Sequence, residues 1–547
     1  MVQSAQSHGS NQVPYYAGHN AYLNDGFLVE LTKTLPKSVR ESFSSHGKWV
    51  ASAEAQDLAR LANEYKPVLK THDARGERQD VVEFHPAYHA LMRRGISIGL
   101  NGSIWENAED ERGNRNLARA VRFFLTSQLE QGHLCPLTMT NASIAAMMTD
   151  TGLLNVWMGR TISREYDASQ RSAVSKKGVT IGMGMTERQG GTDVRANTTY
   201  AEKSNDGQWR LYGEKWFFSA PMCDAFLVLA YVGKDRKEGI ACFLVPRLLP
   251  DGTSNGLEFQ RLKSKLGNHS NASSEVKING SMASIIGEPG RGIATILEMV
   301  TLTRLDCILG SAGQMRAALA QAVHHCRHRQ VFGKVLIDQP LMTRVLADIA
   351  LDTVAAQALA MRLAASYDRA SSDNAEASYA RIMTPAIKYW VCKSAPSLIY
   401  EAMECIGGNG YVEDHVMPRL YREAPLNAIW EGSGNVMCLD VMRALKKGPQ
   451  GVEHVLDILA HDLQDSSRQM IDVLKIAAQV ALEDEGSARI LTEQLALTAA
   501  AAELRRTMPS EIVDAFVESR LGRPWRNTYG MMDSRYDARA IIDYLCS

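Results

Sequence analysis

The stretch Gly184-Met-Thr-Glu-Arg-Gln-Gly-Gly-Thr-Asp193 is the most informative part of this sequence. Its adjacent glycines, Gly190 and Gly191, let the backbone approach a flat or phosphorylated ligand closely. Thr186 and Thr192 add hydroxyl groups, and exposed amides in such a turn bind a polar ring edge or a phosphate. A Gly-rich hairpin without a ligand is the alternative, and this stretch alone does not separate the two.

The hydrophobic period changes on either side of this stretch. From about residue 22 to residue 171, apolar residues recur at helical spacing. Between Gly178 and about Gly287 the chain has short apolar runs, such as 226–232, punctuated by Gly, Asp and Asn. Asn205-Asp-Gly207 predicts a hairpin turn between two of these runs. The middle of the chain is therefore predicted to be a β-domain of about a hundred residues.

Helical spacing returns after Gly292. Pro340 predicts a helix start, residues 371–374 a loop between two long helices, and Gly448-Pro449 a break before a final Ala-rich helical region. The chain is thus predicted to be an α+β protein with an N-terminal helical domain, a middle β-domain, a helical bundle and an extra C-terminal helical domain. The predicted boundaries are 1–177, 178–290, 291–447 and 448–547.

Composition excludes several classes of protein. The 547 residues are 45% hydrophobic and 22% charged with a net charge of −1, which is ordinary for a globular protein and excludes a globally basic nucleic-acid coat. No run approaches the roughly 18 apolar residues of a membrane helix, so no membrane association is expected. The nine cysteines form no Cys-x-x-Cys pair. We therefore expect buried free thiols in a reducing cytoplasm.

Two further segments combine glycine or aromatic residues with polar groups. Lys215-Trp-Phe-Phe-Ser219 places aromatic rings beside a hydroxyl, which suits one face of a planar cofactor, although a core strand explains it equally well. Glu404-Cys-Ile-Gly-Gly-Asn-Gly-Tyr411 follows a predicted helix. Its glycines fit either a simple helix C-cap or a helix end that contacts a diphosphate.

Trp430-Glu-Gly-Ser-Gly-Asn435 contains the best candidate for acid–base chemistry. Burial of Glu431 beside apolar walls would raise its pKa towards the range of a useful general base. The alternative is a glutamate that caps the helix predicted to begin near Val436.

Together and in this order, these motifs resemble those of the acyl-CoA dehydrogenase family. Both signatures of the family fit without a mismatch, the first over residues 184–196 and the second over residues 404–423. The N-terminal block around Tyr22-Leu-Asn-Asp25, the stretch 429–435 and the extra C-terminal region resemble the AidB-type branch, the alkylation-response flavoproteins of bacteria. The resemblance implies the acyl-CoA dehydrogenase fold.

The resemblance also implies a tightly bound FAD between the β-domain and the following helical domain. In the family one subunit of a homotetramer reaches the FAD of its neighbour, and the fork of Arg329 suits diphosphate oxygens. Glu404 stands where many relatives carry Gln. The residues that match cofactor contacts are Met183, Met185, Thr186, Gly191, Thr192, Phe217, Phe218, Ser219, Arg329, Phe332, Gln339, Glu404, Gly407, Gly408, Ser433 and Asn435.

Glu431 matches the catalytic base of the family, which takes a proton from the carbon next to the thioester carbonyl while a hydride passes to the flavin. Some relatives carry the base on another helix, just before an arginine. That position here is Thr303, before Arg304, and a threonine is not a base. The resemblance therefore implies an oxidoreductase acting on an acyl-CoA. The alternative is a flavoprotein that binds DNA or an acyl thioester protectively, with little or no turnover.

A histidine cluster precedes Arg329. His324 and His328 are four residues apart and share a helix face, as metal ligands can, but no carboxylate lies nearby in the sequence, so we expect no metal. Protonation of these histidines would add positive charge near FAD phosphates.

AidB-type proteins are associated with DNA binding through a basic C-terminal domain. Residues 446–547 contain twelve basic and sixteen acidic residues, a net charge of −4, which argues against strong duplex binding. Residues 519–539 are locally basic. We expect at most weak, salt-sensitive binding to double-stranded DNA through Arg520, Arg523 and Arg526.

Overall fold

The computed structural model of the chain describes residues 11–464, 467–522, 529 and 535–546. The N-terminal region is mainly helical, as predicted. A hairpin of β1 (Val68–His72) and β2 (Arg78–Glu83) interrupts it; this hairpin was not predicted, because its short, half-exposed strands lack a buried apolar run. The helices are α1 Gly26–Leu31, α2 Lys37–Val50, α3 Ala53–Glu64, α4 Pro86–Ser97, α5 Arg115–Ser127, α6 Leu134–Met147 and α7 Thr151–Thr161.

The middle of the chain forms the predicted β-domain. Its strands are β3 Ile181–Thr186, β4 Tyr200–Lys203, β5 Trp209–Ser219, β6 Ala225–Val232, β7 Ile240–Pro246, β8 Leu257–Leu262 and β9 Ser273–Ile286. The turn at 205–207 joins β4 to β5, as the sequence predicts. Because β5 pairs with β9, β9 with β7, β7 with β6, and β3 with both β6 and β5, the sheet closes on itself around apolar side chains.

Long helices follow the sheet: α8 Gly292–His328, α9 Pro340–Arg369 and α10 Asn374–Ile406. Pro340 opens α9, and the predicted loop separates α9 from α10. Between α8 and α9 lies a small hairpin of β10 (Gln330–Val331) and β11 (Lys334–Val335). After α10 come α11 Gly408–Tyr411, α12 Val416–Glu423 and α13 Gly434–Lys447.

Helix α9 is long and apolar enough to cross a membrane by length and composition alone. Within the protein, however, 94% of its most apolar window is buried, which is the behaviour of a core helix. It packs against α8, α10 and C-terminal helices. Its hydropathy is explained by this central position.

The C-terminal region begins at the predicted break and packs on α9 and α10. Its helices are α14 Pro449–Leu463, α15 Ser467–Glu483, α16 Ala488–Thr507, α17 Ser510–Arg520 and α18 Ala538–Leu545.

The predicted DNA contact at Arg520 is wrong. Its guanidinium lies 2.6 Å from the carboxylate of Asp348 and 2.8 Å from that of Asp352, with only 13% of its side chain exposed. The hydroxyl of Tyr529 also donates to Asp352. Arg520 therefore joins α17 to α9 and has no free charge for a phosphate. Arg523 and Arg526 lie outside the described residues.

Helix α8 organises the molecule. Its 37 residues span about 55 Å and pack against α5, α6, α9 and α10. The first half of α8 lies beside the β-domain and α6, whereas its last turn leads into the exposed β10–β11 hairpin. All nine cysteines are buried free thiols, as predicted.

Candidate active site

The Gly-rich segment forms a loop anchored by a buried carboxylate. Glu187, at the end of β3, accepts bonds from Lys215 Nζ at 2.7 Å, Thr198 N at 2.7 Å and Thr199 N at 3.1 Å. Burial alone would raise its pKa, but Lys215 and these bonds lower the pKa of Glu187 to about 2. The anchored carboxylate fixes both ends of a loop whose Gly191 and Thr192 are exposed to solvent. The loop is thus available to a ligand.

Two neighbouring strands bring the first group of predicted cofactor residues together. β3 pairs antiparallel with β5, so that Met183 lies opposite Ser219 and Thr186 opposite Phe217. Met185 and Thr186 are half-buried, and 48% of Phe217 is exposed. These strand ends form one continuous polar and aromatic surface beside the loop.

Phe218 does not belong to that surface. Successive side chains of a strand point to opposite faces, and the ring of Phe218 is completely buried, 4.3 Å from the ring of Phe226. A side chain at Gly184 would collide with it at 2.4 Å. The burial of its ring excludes a side-chain contact between Phe218 and the cofactor and leaves only its backbone for the predicted contact.

The carboxylate of Glu431 is held by the residue at the alternative base position. Thr303 Oγ1 donates to Glu431 Oε2 at 2.6 Å. Glu431 is half-buried and has a left-handed backbone with φ of 56°. Such a conformation costs about 1–3 kcal/mol for a residue other than glycine, so surrounding contacts must maintain it. The carboxylate does not cap α13, which rules out the capping alternative.

A buried lysine maintains that backbone, and the sequence analysis did not identify it. Lys388 on α10 is 1% exposed, and its Nζ donates to the carbonyl oxygens of Asn427, Trp430 and Gly432 at 2.8, 3.0 and 2.9 Å. These three bonds fix the chain on both sides of Glu431. The available signal was a single charged residue, Lys388, within the otherwise uncharged run 382–392 of α10.

Arg304 supports the same segment from α8. Its Nε donates to the carbonyl oxygen of Glu431 at 3.1 Å, and its Nη1 lies 2.7 Å from Asp440. Burial alone would raise the pKa of Asp440, but Arg381 and Arg304 hold it below its usual value. Arg304 is therefore both part of an ion pair and a support for the candidate base.

The base faces a small cavity of about 50 Å³. It lies between α5, α6, α8, the ends of β3 and β5, and the segment 427–431. Met183 and Ser219 line it from the sheet, Thr303 from α8, and Trp430 closes one side. Two residues of the first predicted group, Met183 and Ser219, thus meet the candidate base at one cavity.

The residues after α8 lie elsewhere. Arg329 donates to the carbonyl oxygen of Asn11, Gln339 donates to that of Val331, and Phe332 is 95% exposed at the tip of the β10–β11 hairpin. Thr303 and Arg329 are 26 residues apart, of which almost all are helical, so about 39 Å separates them. One extended dinucleotide does not reach from the cavity to Arg329 in the same chain.

The end of α10 lies beside the end of α8. Cys326 Sγ is 3.9 Å from the carbonyl oxygen of Cys405, which places the Glu404 end of α10 near the Arg329 end of α8. Glu404, Gly407 and Gly408 are exposed. The structure therefore divides the predicted cofactor residues into a cavity group and a second group at these two helix ends.

The N-terminus of α13 adjoins the cavity group. Ser433 and Asn435 are exposed there, and Arg489 of α16 donates to Asn435 Oδ1 at 2.8 Å. A side chain at Gly434 would lie 3.3 Å from Lys393, which brings a second positive group to this helix end. Helix N-termini and cations both favour phosphate.

Two of the histidines near Arg329, His324 and His325, are shifted towards the neutral form. Burial lowers the pKa of His325 to about 4, and Arg329 reinforces the shift, so His325 is neutral at pH 7. Burial also lowers the pKa of His324. Within the described part of the chain, no three His, Cys, Asp or Glu residues form a group suited to a metal.

Three segments of the chain match models of known protein domains. Residues 11–168 match the adaptive response protein AidB N-terminal domain, 182–281 the acyl-CoA dehydrogenase middle domain and 290–446 the acyl-CoA dehydrogenase C-terminal domain. AidB of Escherichia coli (strain K12) is 43% identical over 502 residues, 91% of each chain. Acyl-CoA dehydrogenase family member 11 of Caenorhabditis elegans is 33% identical and covers 80% of this chain and 72% of its own.

Solved structures show the same architecture. The crystal structure of Caenorhabditis elegans ACDH-11 in complex with C11-CoA aligns with a TM-score of 0.84 at 27% identity, over 99% of this chain and 98% of the other. The similarity thus includes the C-terminal helices that follow the three matched domains.

Proposed function

The chain belongs to the acyl-CoA dehydrogenase family of FAD-dependent oxidoreductases, on its AidB-type branch, and we propose that it oxidises an acyl-CoA thioester with Glu431 as the general base. The observation that carries this assignment is the cavity shared by Glu431, Thr303, Met183 and Ser219. A carboxylate with a fixed orientation at the junction of the β-domain and the helical bundle fits proton abstraction.

In this reaction the Glu431 carboxylate takes the proton from the carbon next to the thioester carbonyl. The electron pair of that bond forms the new carbon–carbon double bond, as a hydride leaves the following carbon. FAD supplies the two-electron acceptor for this hydride. Thr303 engages Glu431 Oε2, which leaves Oε1 for the substrate proton. Trp430 and Met183 line the cavity beside the carboxylate.

The chain's residues fit FAD. The exposed Gly191–Thr192 loop, Ser219 and the half-exposed ring of Phe217 suit the flavin end. Lys393, Arg489 and the N-terminus of α13 offer positive charge for phosphate groups.

The second group of residues suits the FAD of a neighbouring subunit. Arg329 lies about 39 Å from Thr303 along α8, and Phe332 projects into solvent. We therefore propose a homotetramer in which Arg329, Phe332, Gln339, Glu404, Gly407 and Gly408 contact a neighbour's FAD. The nine buried free thiols agree with a cytoplasmic location.

Anaerobic titration of FAD-loaded protein with acyl-CoAs tests the proposed reaction. Wild-type protein should lose its oxidised flavin absorbance with at least one acyl-CoA. Glu431→Gln should retain FAD and be reduced about 10²–10⁴-fold more slowly, because the general base is lost. Glu298→Gln is the control, since Glu298 is exposed on the same helix as Thr303. Reduction of Glu431→Gln at the wild-type rate would refute the assignment.

A second candidate function is a protective role in the response to DNA alkylation, with weak duplex binding and little turnover. The match of residues 11–168 to the adaptive response protein AidB N-terminal domain favours it. At low salt, Arg523→Ala/Arg526→Ala protein should retain less duplex DNA than wild type. Arg520→Ala should instead lower thermal stability, because it removes a buried positive charge that pairs with both Asp348 and Asp352. Equal retention by wild type and the double variant would exclude these arginines as the contact.

A further inference from the structure

The depth of the cavity can be measured along α8. Thr303 marks the reactive end, where it contacts Glu431, and Gly310 lies seven residues further along the same helix. Seven helical residues span about 10 Å. The cavity volume of about 50 Å³ accommodates roughly three to five water-sized groups, at about 10–15 Å³ each. An acyl chain that enters here is therefore short.

A pair of amides closes the far end. Gln131 Nε2 donates to the carbonyl oxygen of Gly310 at 2.6 Å, while Gln131 Oε1 accepts a long bond of 3.4 Å from Asn427 Nδ2. Asn427 also donates to Ser311 Oγ at 3.2 Å and accepts from Trp430 Nε1 at 2.8 Å. Both amides are thus fixed in place, and the end wall of the cavity is polar.

Gln131 Oε1 retains accepting capacity. An amide oxygen has two lone pairs, and its one contact to Asn427 is near the limit of hydrogen bonding. A plain alkyl end beside it would leave a buried polar atom poorly satisfied. A substrate hydroxyl at this position would donate to it.

The side of the cavity is charged but neutralised. Asp306 binds Arg119 through two bonds of 2.7 and 2.8 Å and accepts from Thr138 at 2.7 Å. Among the residues that line the cavity in the described chain, none is Lys or Arg. A carboxylate at the end of the acyl chain would therefore be buried beside Asp306 without a free counter-charge, which is unfavourable.

We propose that the acyl pocket selects a short, uncharged acyl thioester whose far end donates a hydrogen bond to Gln131, such as an ω-hydroxyacyl group of four or five carbons. This inference rests on the proposed acyl-CoA oxidation and specifies its substrate class. It contrasts with the eleven-carbon ligand of the C11-CoA complex of ACDH-11. A site that hydrogen-bonds a substrate hydroxyl discriminates strongly against the analogue that lacks it.

The first experiment compares four CoA thioesters on the FAD-loaded wild type: 4-hydroxybutyryl, butyryl, glutaryl and undecanoyl. Flavin reduction measures turnover. Calorimetry with the matching non-oxidisable thioethers measures binding independently of the reaction. We expect the hydroxylated ligand to bind at least tenfold more tightly than the butyl analogue, and the charged and eleven-carbon ligands to bind at least a hundredfold less tightly. Equal binding of the hydroxylated and plain four-carbon thioethers would overturn the inference.

The second experiment changes the end wall. Gln131→Met removes the amide while keeping a similar length, and should erase the preference for the hydroxylated thioether. Gln128→Met is the matched control, because Gln128 precedes the same turn but does not line the cavity. An unchanged preference in Gln131→Met would overturn the inference.

The two measurements separate this inference from the proposed reaction. Binding in the expected order without flavin reduction by any thioester would refute the oxidation and support the pocket assignment. Flavin reduction together with equal binding of all four thioethers would support the oxidation and refute the pocket assignment. The binding order in the wild type decides the inference even when Gln131→Met does not fold.

Discussion

The two ends of α8 carry different groups of predicted site residues. They differ in how many contacts these residues make within one chain. At Thr303, the helix lies among buried groups: Thr303 binds Glu431, and Arg304 binds both Asp440 and the Glu431 backbone. At Arg329, the helix ends in an exposed hairpin whose Phe332 projects into solvent. One chain therefore holds the candidate base through buried contacts, whereas the predicted cofactor residues at the other end of α8 are open to solvent.

The difference between the two ends of α8 follows from the proposed task of each, which is to position a general base at one end and to bind a diphosphate at the other. A general base requires a defined position, and buried bonds from Lys388 and Thr303 supply it within the subunit. A diphosphate contact requires an accessible cation, and Arg329 is only half-buried, with a single bond to the Asn11 carbonyl. Changes near Thr303 should therefore alter folding and chemistry, and changes near Arg329 should alter cofactor retention and assembly.

The largest effect is expected from Lys388→Met. The change removes three bonds to the carbonyls of Asn427, Trp430 and Gly432 and leaves these buried acceptors unsatisfied. At about 1–3 kcal/mol for each orphaned acceptor, the free energy of unfolding should fall by about 3 kcal/mol or more. Urea denaturation measures it.

Lys475→Met is the control for Lys388→Met, because Lys475 is exposed on α15. It should leave the urea midpoint unchanged. A Lys388→Met protein as stable as this control would show that the bonds around Glu431 do not maintain its backbone.

The next largest effect is expected on the affinity for FAD. Arg329→Ala removes the proposed charge-assisted phosphate contact, worth about 1.5–3 kcal/mol, so FAD should bind about 10- to 150-fold more weakly while the fold is retained. Equilibrium dialysis measures the affinity. Arg291→Ala, which removes an exposed arginine just before the other end of α8, should leave it unchanged.

Mixed oligomers test whether this contact crosses between subunits. Subunits with Arg329→Ala keep Glu431, and subunits with Glu431→Gln keep Arg329. If Arg329 serves a neighbour, refolding the two together should produce active sites with both groups, and flavin reduction should exceed that of either variant alone. Activity no higher than the average of the separate variants would place the contact within one chain.

Sequence patterns predicted the order of domains, and the motifs predicted three of the residues that line the cavity, Met183, Ser219 and Glu431. Hydrophobic period and turn residues determine local structure, so the sheet, Pro340 and the break at Gly448-Pro449 were all predicted correctly. The buried face of β5 was not predicted. Strand alternation places Phe217 and Phe218 on opposite faces, but both are aromatic, so the sequence does not show which of the two is buried.

The remaining errors concern contacts between distant parts of the chain. Arg520 was predicted to be available because no acidic residue follows it in the sequence until Asp533, but its counter-charges on α9 are about 170 residues away. Lys388 reaches carbonyls about 40 residues ahead of it. A single sequence does not show which distant groups a buried lysine or arginine contacts, since main-chain acceptors are present at every residue.

A smaller effect is expected from Thr303→Val, which keeps the shape of the side chain and removes its bond to Glu431 Oε2. Loss of one hydrogen bond to a carboxylate should slow flavin reduction about tenfold, or about 1.4 kcal/mol, because the base is less well oriented. FAD affinity should not change. Thr301→Val, on the exposed side of the same turn, is the control. Reduction at the wild-type rate would mean that Lys388 and Arg304 position Glu431 without Thr303.

The smallest effect on folding is expected from Phe332→Ala. Because the fold should be retained, any change in oligomer size or FAD content can be assigned to a lost contact with a neighbouring subunit. The ring is 95% exposed within one chain, and substitution of such a residue changes stability by no more than about 0.5 kcal/mol. If the ring contacts a neighbouring subunit, its loss should shift the oligomer towards smaller species at low concentration and reduce FAD retention. Sedimentation with absorbance detection follows both. Val68→Ala is the control, because Val68 is an apolar side chain that is 50% exposed. It should change neither the oligomer size nor the FAD content. An unaltered oligomer and flavin content in Phe332→Ala would remove the β10–β11 hairpin from the subunit interface and leave Arg329 as the contact to be tested there.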